Sequence, residues 1–145
     1  MSVIQNKKKP LVVLTGPTAV GKTKLSIALA KAINGEILSA DSMQVYKHMD
    51  IGSAKIRPEE MEGVPHHMLD VVEPNQPYSV AEFQAGAYAA IDGILSRGNT
   101  PFLVGGTGLY VRAVTEGFTF TDARPDPALR AKLEGKTTAE LYALL

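Results

Sequence analysis

Residues 11 to 23 restrict what this chain can fold into more than any other stretch. Leu11-Val12-Val13-Leu14-Thr15 is a short apolar, β-branched run of the kind that becomes a buried strand of a parallel sheet. The next eight residues, Gly16-Pro17-Thr18-Ala19-Val20-Gly21-Lys22-Thr23, fit G-x-x-x-x-G-K-[ST], and Lys24 to Ile33 has helical periodicity. Gly16 and Gly21 permit backbone angles that a Cβ would forbid, so successive N–H groups can turn inward around phosphate oxygens. A helix opening at Gly21 adds the positive end of its dipole. Lys22 offers a mobile charge to the terminal phosphates, and the Thr23 hydroxyl is placed to ligate Mg²⁺. Strand, loop and helix in this order predict a phosphate site along Gly16 to Thr23.

The rest of the chain continues the alternation. In the first helix Leu25, Ile27, Ala28, Leu29, Ala32 and Ile33 form an expected apolar stripe, and Asn34-Gly35 ends it with residues that tolerate left-handed angles. Glu36 to Ser39 reads as a second strand, and Lys47 to Pro65 as mostly loop with a short helix at Pro58 to Glu62. His66 to Val72 reads as a third strand. Ser79-Val80-Ala81-Glu82 is a capping box opening a helix that buries Phe83, Ala87, Ile91, Ile94 and Leu95 and stops at Gly98. Pro101 to Val104 is a further buried strand running into Gly105-Gly106-Thr107-Gly108, with a helix from Leu109 to Glu116 behind it. Ala128 to Leu145 reads as one or two helices.

Strands alternating with helices imply right-handed crossovers and a parallel sheet covered by helices on both faces. With the glycine-rich loop, the expected class is α/β, of the P-loop nucleoside-triphosphate-hydrolase-like (kinase-like) kind. A flexible N-terminus (1–9) should precede an α/β core (10–118). The chain stops without a terminating signal, so the fold is expected to be C-terminally incomplete.

Composition narrows the setting. At 145 residues, 45% apolar and 21% charged, the chain is an ordinary globular domain. It has no cysteine, which removes disulfides and thiolate chemistry and points to a reducing cytoplasm. No segment approaches a membrane span, so no membrane partner is expected. Fifteen basic residues balance fifteen acidic ones, which argues against a general nucleic-acid coat.

In an open parallel sheet, ligands bind beyond the carboxyl ends of the strands. The phosphate loop, Asp41-Ser42 and Gly105 to Gly108 all leave such ends, so all three should open on one crevice. Asp41 is read as a general base, a second Mg²⁺ ligand, or simply a turn or helix-capping residue. Gly105-Gly106-Thr107-Gly108 lets a second backbone approach the substrate closely, and Thr107 also reads as a cap of the following helix. His66 and His67 are adjacent and point to opposite faces of a strand, which disfavours a shared metal.

Six motifs in order then carry a resemblance. They are the Gly16–Thr23 loop, Asp41-Ser42-Met43-Gln44-Val45-Tyr46, Asp50-Ile51-Gly52-Ser53-Ala54-Lys55, Gly63-Val64-Pro65-His66-His67, Tyr78 to Phe83, and Val104 to Tyr110. From about Pro10 to Arg130 the chain closely resembles the tRNA dimethylallyltransferases (tRNA isopentenyltransferases). Ser53 stands where that family often has Thr, Ile56 where it often has Pro, and Val20 where Ser is common. The resemblance implies transfer of a dimethylallyl group from dimethylallyl diphosphate to the exocyclic N6 of an adenosine beside the tRNA anticodon. It implies that Asp41, Lys22 and Thr18 are catalytic, with Mg²⁺ on Thr23, and that Asp41, Ser42, Met43, Gln44, Thr107 and Arg130 contact the anticodon arm. It further implies that 119–145 begins a helical tRNA-binding insertion, and a monomer is expected. The competing readings are a P-loop small-molecule or nucleoside kinase using ATP, an isopentenyltransferase acting on free adenine nucleotides, and a non-catalytic nucleotide binder.

Overall fold

The computed structural model describes residues 9–17, 19–121 and 125–145. The first apolar run forms β1 (Val12–Thr15), and the helix behind the glycine-rich loop is α1 (Lys22–Ala32). Asn34, at φ 53°, takes the left-handed turn that frees the chain to enter β2 (Gly35–Ser39). A long excursion with one 3₁₀ turn (Pro58–Glu60) leads to β3 (His66–His67). Then come α2 (Val80–Ser96), β4 (Thr100–Gly105) and α3 (Gly108–Thr115). The capping box at Ser79 is formed, with Ser79 Oγ accepting from the Glu82 amide and the Glu82 carboxylate accepting from the Ser79 amide.

All strand pairs are parallel, in the order β1-β4-β2-β3. Alternation along β2 and β4 divides the core between the two faces. Ile37, Phe102 and Val104 pack with Ile27 and Ala30 of α1. Leu38 and Leu103 pack on the other face with Phe83, Ala87, Ile91 and Ile94 of α2 and with Tyr110, Val111 and Val114 of α3. The expected α/β sheet with helices on both faces is what forms.

Two sequence expectations need correction. The third strand is confined to His66–His67, because Met68 and Asp70 have φ 64° and 53°, which an extended strand cannot hold. What remains of the expected run is an isolated bridge between Tyr46 and Val72. In α1 the helical face against the sheet is Ser26, Ile27 and Ala30. Leu25, Ala28, Leu29, Ala32 and Ile33 are exposed, since the helix leans on β2 and β4 with its other flank turned away from them. Near the end of the chain, α4 (Pro127–Glu134) and α5 (Thr138–Tyr142) form as expected, and none of their residues is buried. Of the expected flexible N-terminus, residues 1–8 lie outside the described residues, and Lys9 pairs with Asp92.

One charge sits inside this frame. Glu36 of β2 is 3% exposed and takes a two-pronged bond from Arg97, a third from Asn99 and a fourth from His67. The Arg97 guanidinium, helped by Asn99 and His67 and opposed by burial, holds its pKa down at about 2, against 4.5 for a free glutamate. A lowered carboxyl pKa adds stability above the unfolded value and loses it as pH falls through the folded one. Between pH 4.5 and 2 the fold should therefore lose about 3 kcal/mol from this group. Urea melts across that range should show the loss, and Arg97→Met should flatten it.

Candidate active site: a crevice at the carboxyl ends of the strands

The strand register brings three loop starts level with one another. Thr15 pairs with Gly105, and Ser39 with Val104, so the chain leaves β1, β2 and β4 at one edge of the sheet. A crevice of about 720 Å³ opens there. It is lined by Gly16, Pro17, Ala19, Gly21, Lys22 and Thr23 from the first loop, Asp41, Ser42 and Gln44 from the second, and Gly105, Gly106 and Thr107 from the third. The three loops expected to share a crevice do so.

In the glycine-rich loop Gly21 is left-handed (φ 87°, ψ 16°) and is the N-cap of α1. No atom lies within 4 Å of a Cβ built there, so the backbone angle is what calls for glycine. Ala19 is also left-handed, at φ 65°. Lys22 folds across the loop, donating from Nζ to the carbonyls of Gly16 (2.7 Å) and Pro17. An ammonium has three donors, and among the described residues two of them are engaged. Thr18, expected to be both phosphate-binding and catalytic, lies outside the described residues. Val20 is exposed and does not line the crevice.

Across from this loop, Asp41 serves a turn and the crevice at once. Its Oδ1 accepts from the amides of Met43 (2.8 Å) and Gln44 (3.3 Å), as a turn-forming aspartate does. Among the described residues no hydrogen bond falls on Oδ2. The two readings of Asp41 are therefore compatible. Thr107 occupies the N-cap position of α3 without capping it by its side chain. Its Oγ1 instead accepts from the Ser42 amide at 3.0 Å, and its own amide donates to Ala40 O at 3.1 Å. That correction is informative, because the hydroxyl joins the second and third loops.

Gln44 is fixed from both ends of its amide. Nε2 donates to Ser53 O (3.2 Å), and Oε1 accepts from Ser39 Oγ (2.9 Å). Ser39, Ser53, Ala54, Ile56, His66 and Leu69 complete the wall. Sequence reasoning assigned none of these a role in binding, although Ser53 and Ala54 lie in one of the quoted motifs and His66 in another. His66 faces the crevice, with Nδ1 2.8 Å from Val64 O, and burial pushes its pKa down. His67 turns the other way to Glu36. Met43 belongs to a smaller neighbouring pocket with His48, Met49 and Ile51. Arg130 is exposed on α4 and does not line the crevice.

The oxygen-bearing side chains that line the crevice include the Thr23, Ser39 and Ser42 hydroxyls and the Asp41 carboxylate, all hard donors. Mg²⁺ takes oxygen ligands, usually one or two from protein and the rest from water and phosphate. The residues present fit such an ion.

Comparison with known proteins places this chain among relatives. A family model described as IPP transferase matches residues 44–145, and one described as isopentenyl transferase matches residues 9–74. A tRNA dimethylallyltransferase of Symbiobacterium thermophilum is 64% identical over 126 residues, 87% of this chain and 40% of that protein. One from Bacillus pumilus is 58% identical over 130 residues, 90% of this chain and 41% of the relative. The chain thus spans about two fifths of the length of the curated relatives it matches. The crystal structure of the full-length tRNA isopentenylpyrophosphate transferase of Bacillus halodurans superposes with a TM-score of 0.78 at 54% identity, covering 94% of this chain and 44% of that one. A eukaryotic dimethylallyltransferase acting on tRNA gives 0.82 at 34% identity, covering 94% and 35%. A family model that takes in everything from Gln44 to Leu145, and a fold shared at this level with solved relatives, lead to one conclusion: the chain belongs to the IPP transferase family.

Proposed function

We propose that the protein transfers a dimethylallyl group from dimethylallyl diphosphate to the exocyclic N6 of an adenosine next to the tRNA anticodon, releasing diphosphate. The observation that carries this reading is the crevice itself, with a phosphate loop on one wall and the Asp41 carboxylate on the other. Its relatives are tRNA dimethylallyltransferases by name. A volume of 720 Å³ falls within the roughly 300–1,000 Å³ of small-ligand sites, enough for a diphosphate and one extruded base.

The chemistry follows from the two walls. The bond between the allylic carbon and the diphosphate oxygen breaks, and one from that carbon to N6 forms. An allylic carbon tolerates positive charge, so stabilising the leaving diphosphate matters most. Lys22, the loop amides and the amino end of α1 do that. Mg²⁺ held by Thr23 would add positive charge at the same diphosphate oxygens. Asp41 accepts the proton that N6 sheds. Ser42, Gln44 and Thr107 form the wall that meets the RNA. Met43 and Arg130 belong to its outer contacts, in the anticodon arm beyond the extruded base. The protein is proposed to act as a monomer in the cytoplasm.

Nucleoside mass spectrometry of unmodified tRNA, incubated with Mg²⁺ and dimethylallyl diphosphate, tests this. ATP serves as a parallel donor, and this chain is run beside a full-length relative, the tRNA dimethylallyltransferase of Symbiobacterium thermophilum. A dimethylallyl-adenosine peak is expected; ATP consumption without that peak would give the site to a kinase. Lys22→Ala should weaken inorganic diphosphate binding by tenfold or more, since a hydrogen bond to a charged group contributes about 1.5–3 kcal/mol. Calorimetric titration with diphosphate reads this directly.

A further inference from the structure

We infer that Lys55 is a positioning residue for the RNA-facing wall of the crevice: its ammonium sets the shape of the segment that carries Gln44 and Ser53. The role in RNA recognition rests on the proposed function, whereas the role in shaping the segment stands on geometry alone.

The side chain of Lys55 is 4% exposed. Its Nζ donates to Tyr46 O (2.7 Å), Asp50 Oδ1 (2.9 Å) and Asp70 Oδ1 (2.6 Å). Three donors meet three acceptors, so the ammonium is fully used. The acceptors come from two separate stretches of chain. Tyr46 and Asp50 belong to the excursion after β2, and Asp70 to the bend that ends β3. The same two stretches are joined at Gln44, whose carbonyl accepts from the Asp70 amide at 3.2 Å. Lys55 and Gln44 therefore hold one junction from two sides.

Backbone bonds tie the near side of that junction as well, from the Val71 and Val72 amides to Val45 O and from the Lys47 amide to Val72 O, and the loop beyond Lys47 is the part that Lys55 shapes. The stretch from Lys47 to Ala54 contains no helix or strand, and His48 and Ala54 are left-handed at φ 62° and 48°. Ile51, its largest aliphatic side chain, is 97% exposed. A loop that buries so little apolar surface takes its shape from polar contacts. Burial pushes the Lys55 pKa down, but the hydrogen bonds it donates to Asp70 and Asp50 outweigh this and leave it raised. The cation is thus kept at neutral pH. An apolar side chain of the same length would escape the desolvation cost of a buried charge, but it could not gather three oxygens. Ser53 O in turn accepts from Gln44 Nε2, which passes the shape on to the crevice wall.

The test compares wild type, Lys55→Met and Asp50→Asn. Four quantities are read: KM for tRNA, kcat, diphosphate affinity, and amide hydrogen exchange by segment. For Lys55→Met we expect KM for tRNA to rise by about tenfold or more, with kcat and diphosphate affinity within about twofold. Exchange should quicken in 44–54 and 68–72, and stay unchanged in α1 and β4. Asp50→Asn, which keeps an accepting oxygen but removes the charge that faces the ammonium, should move the same quantities in the same direction by less, and it decides the matter if Lys55→Met does not fold. Unchanged tRNA KM and unchanged exchange would overturn the inference. So would faster exchange throughout the sheet, which marks a merely structural lysine. If wild type transfers nothing, the proposed function falls on its own. Exchange and direct tRNA binding by the same variants then still uphold or overturn the role of Lys55.

Discussion

Replacing Asp41 with asparagine is expected to slow dimethylallyl transfer by about 10²–10⁴, the usual worth of a positioned general base. The geometry makes asparagine the discriminating choice. Asp41 Oδ1 accepts from the Met43 and Gln44 amides, and an asparagine oxygen can accept both bonds in the same place. The turn survives, while the group that would take the N6 proton becomes an amide that cannot. Unfolding free energy should stay within about 0.5 kcal/mol of wild type. Asp41→Ala removes both roles, so it should abolish transfer and also cost about 1 kcal/mol of stability through the lost turn. Diphosphate binding should be nearly intact in each. Single-turnover transfer under saturating donor is the measurement. If Asp41→Asn keeps transfer within about tenfold of wild type, Asp41 is a turn residue and the base lies elsewhere.

The second large effect is on the fold. A Cβ at Gly105 would lie 2.3 Å from Ala40 O, 2.6 Å from Ala40 C and 2.9 Å from Ala40 Cα. These are backbone atoms, so no side chain can swing aside. Gly105→Ala must push the ends of β2 and β4 apart. Two bonds cross that gap, Ala40 N to Val104 O at 2.8 Å and Thr107 N to Ala40 O at 3.1 Å. Overpacking typically costs about 1–3 kcal/mol, and leaving a buried hydrogen-bonding group unpaired costs a similar amount again. A loss of about 3 kcal/mol is expected, or about 6–12 °C in Tm for a chain of this size. Gly108→Ala is the control, because a Cβ there meets nothing within 4 Å. If thermal melts show equal, small shifts for the two, the close approach of β2 and β4 is not as tight as described. Because Ser42 and Thr107 meet across the same gap, the alanine variant should also lose tRNA affinity.

What the sequence announced and what it hid divide along a physical line. The phosphate loop is written locally: a strand of consecutive apolar residues, two glycines, a lysine and a hydroxyl. The shared crevice was legible as well, since parallel strands put their carboxyl ends on one side whatever the loops contain. Features decided by distant partners were not legible. The run from His66 to Val72 looks extended from its composition, but Asp70 is held by Lys55 and Gln44 in a left-handed bend. Thr107 precedes a helix and reads as its cap, until the Ser42 amide takes its oxygen. The stripe on α1 is periodic in sequence, but which part of it is covered depends on where the sheet lies beneath it. Lys55 sits in a motif that resembles the family's, and nothing in its neighbours along the chain says that it is buried.

The cluster on Glu36 gives the molecule a fixed end and a working end. It ties the amino end of β2 to the turn before β4 and to His67 of β3, whereas the crevice loops leave the carboxyl ends of β1, β2 and β4. Robustness and chemistry are thereby written on separate residues. Substitutions around Glu36 could adapt the protein to acid or heat without entering the crevice. Changes along the crevice loops could retune what is bound without loosening the clamp that holds the strands together.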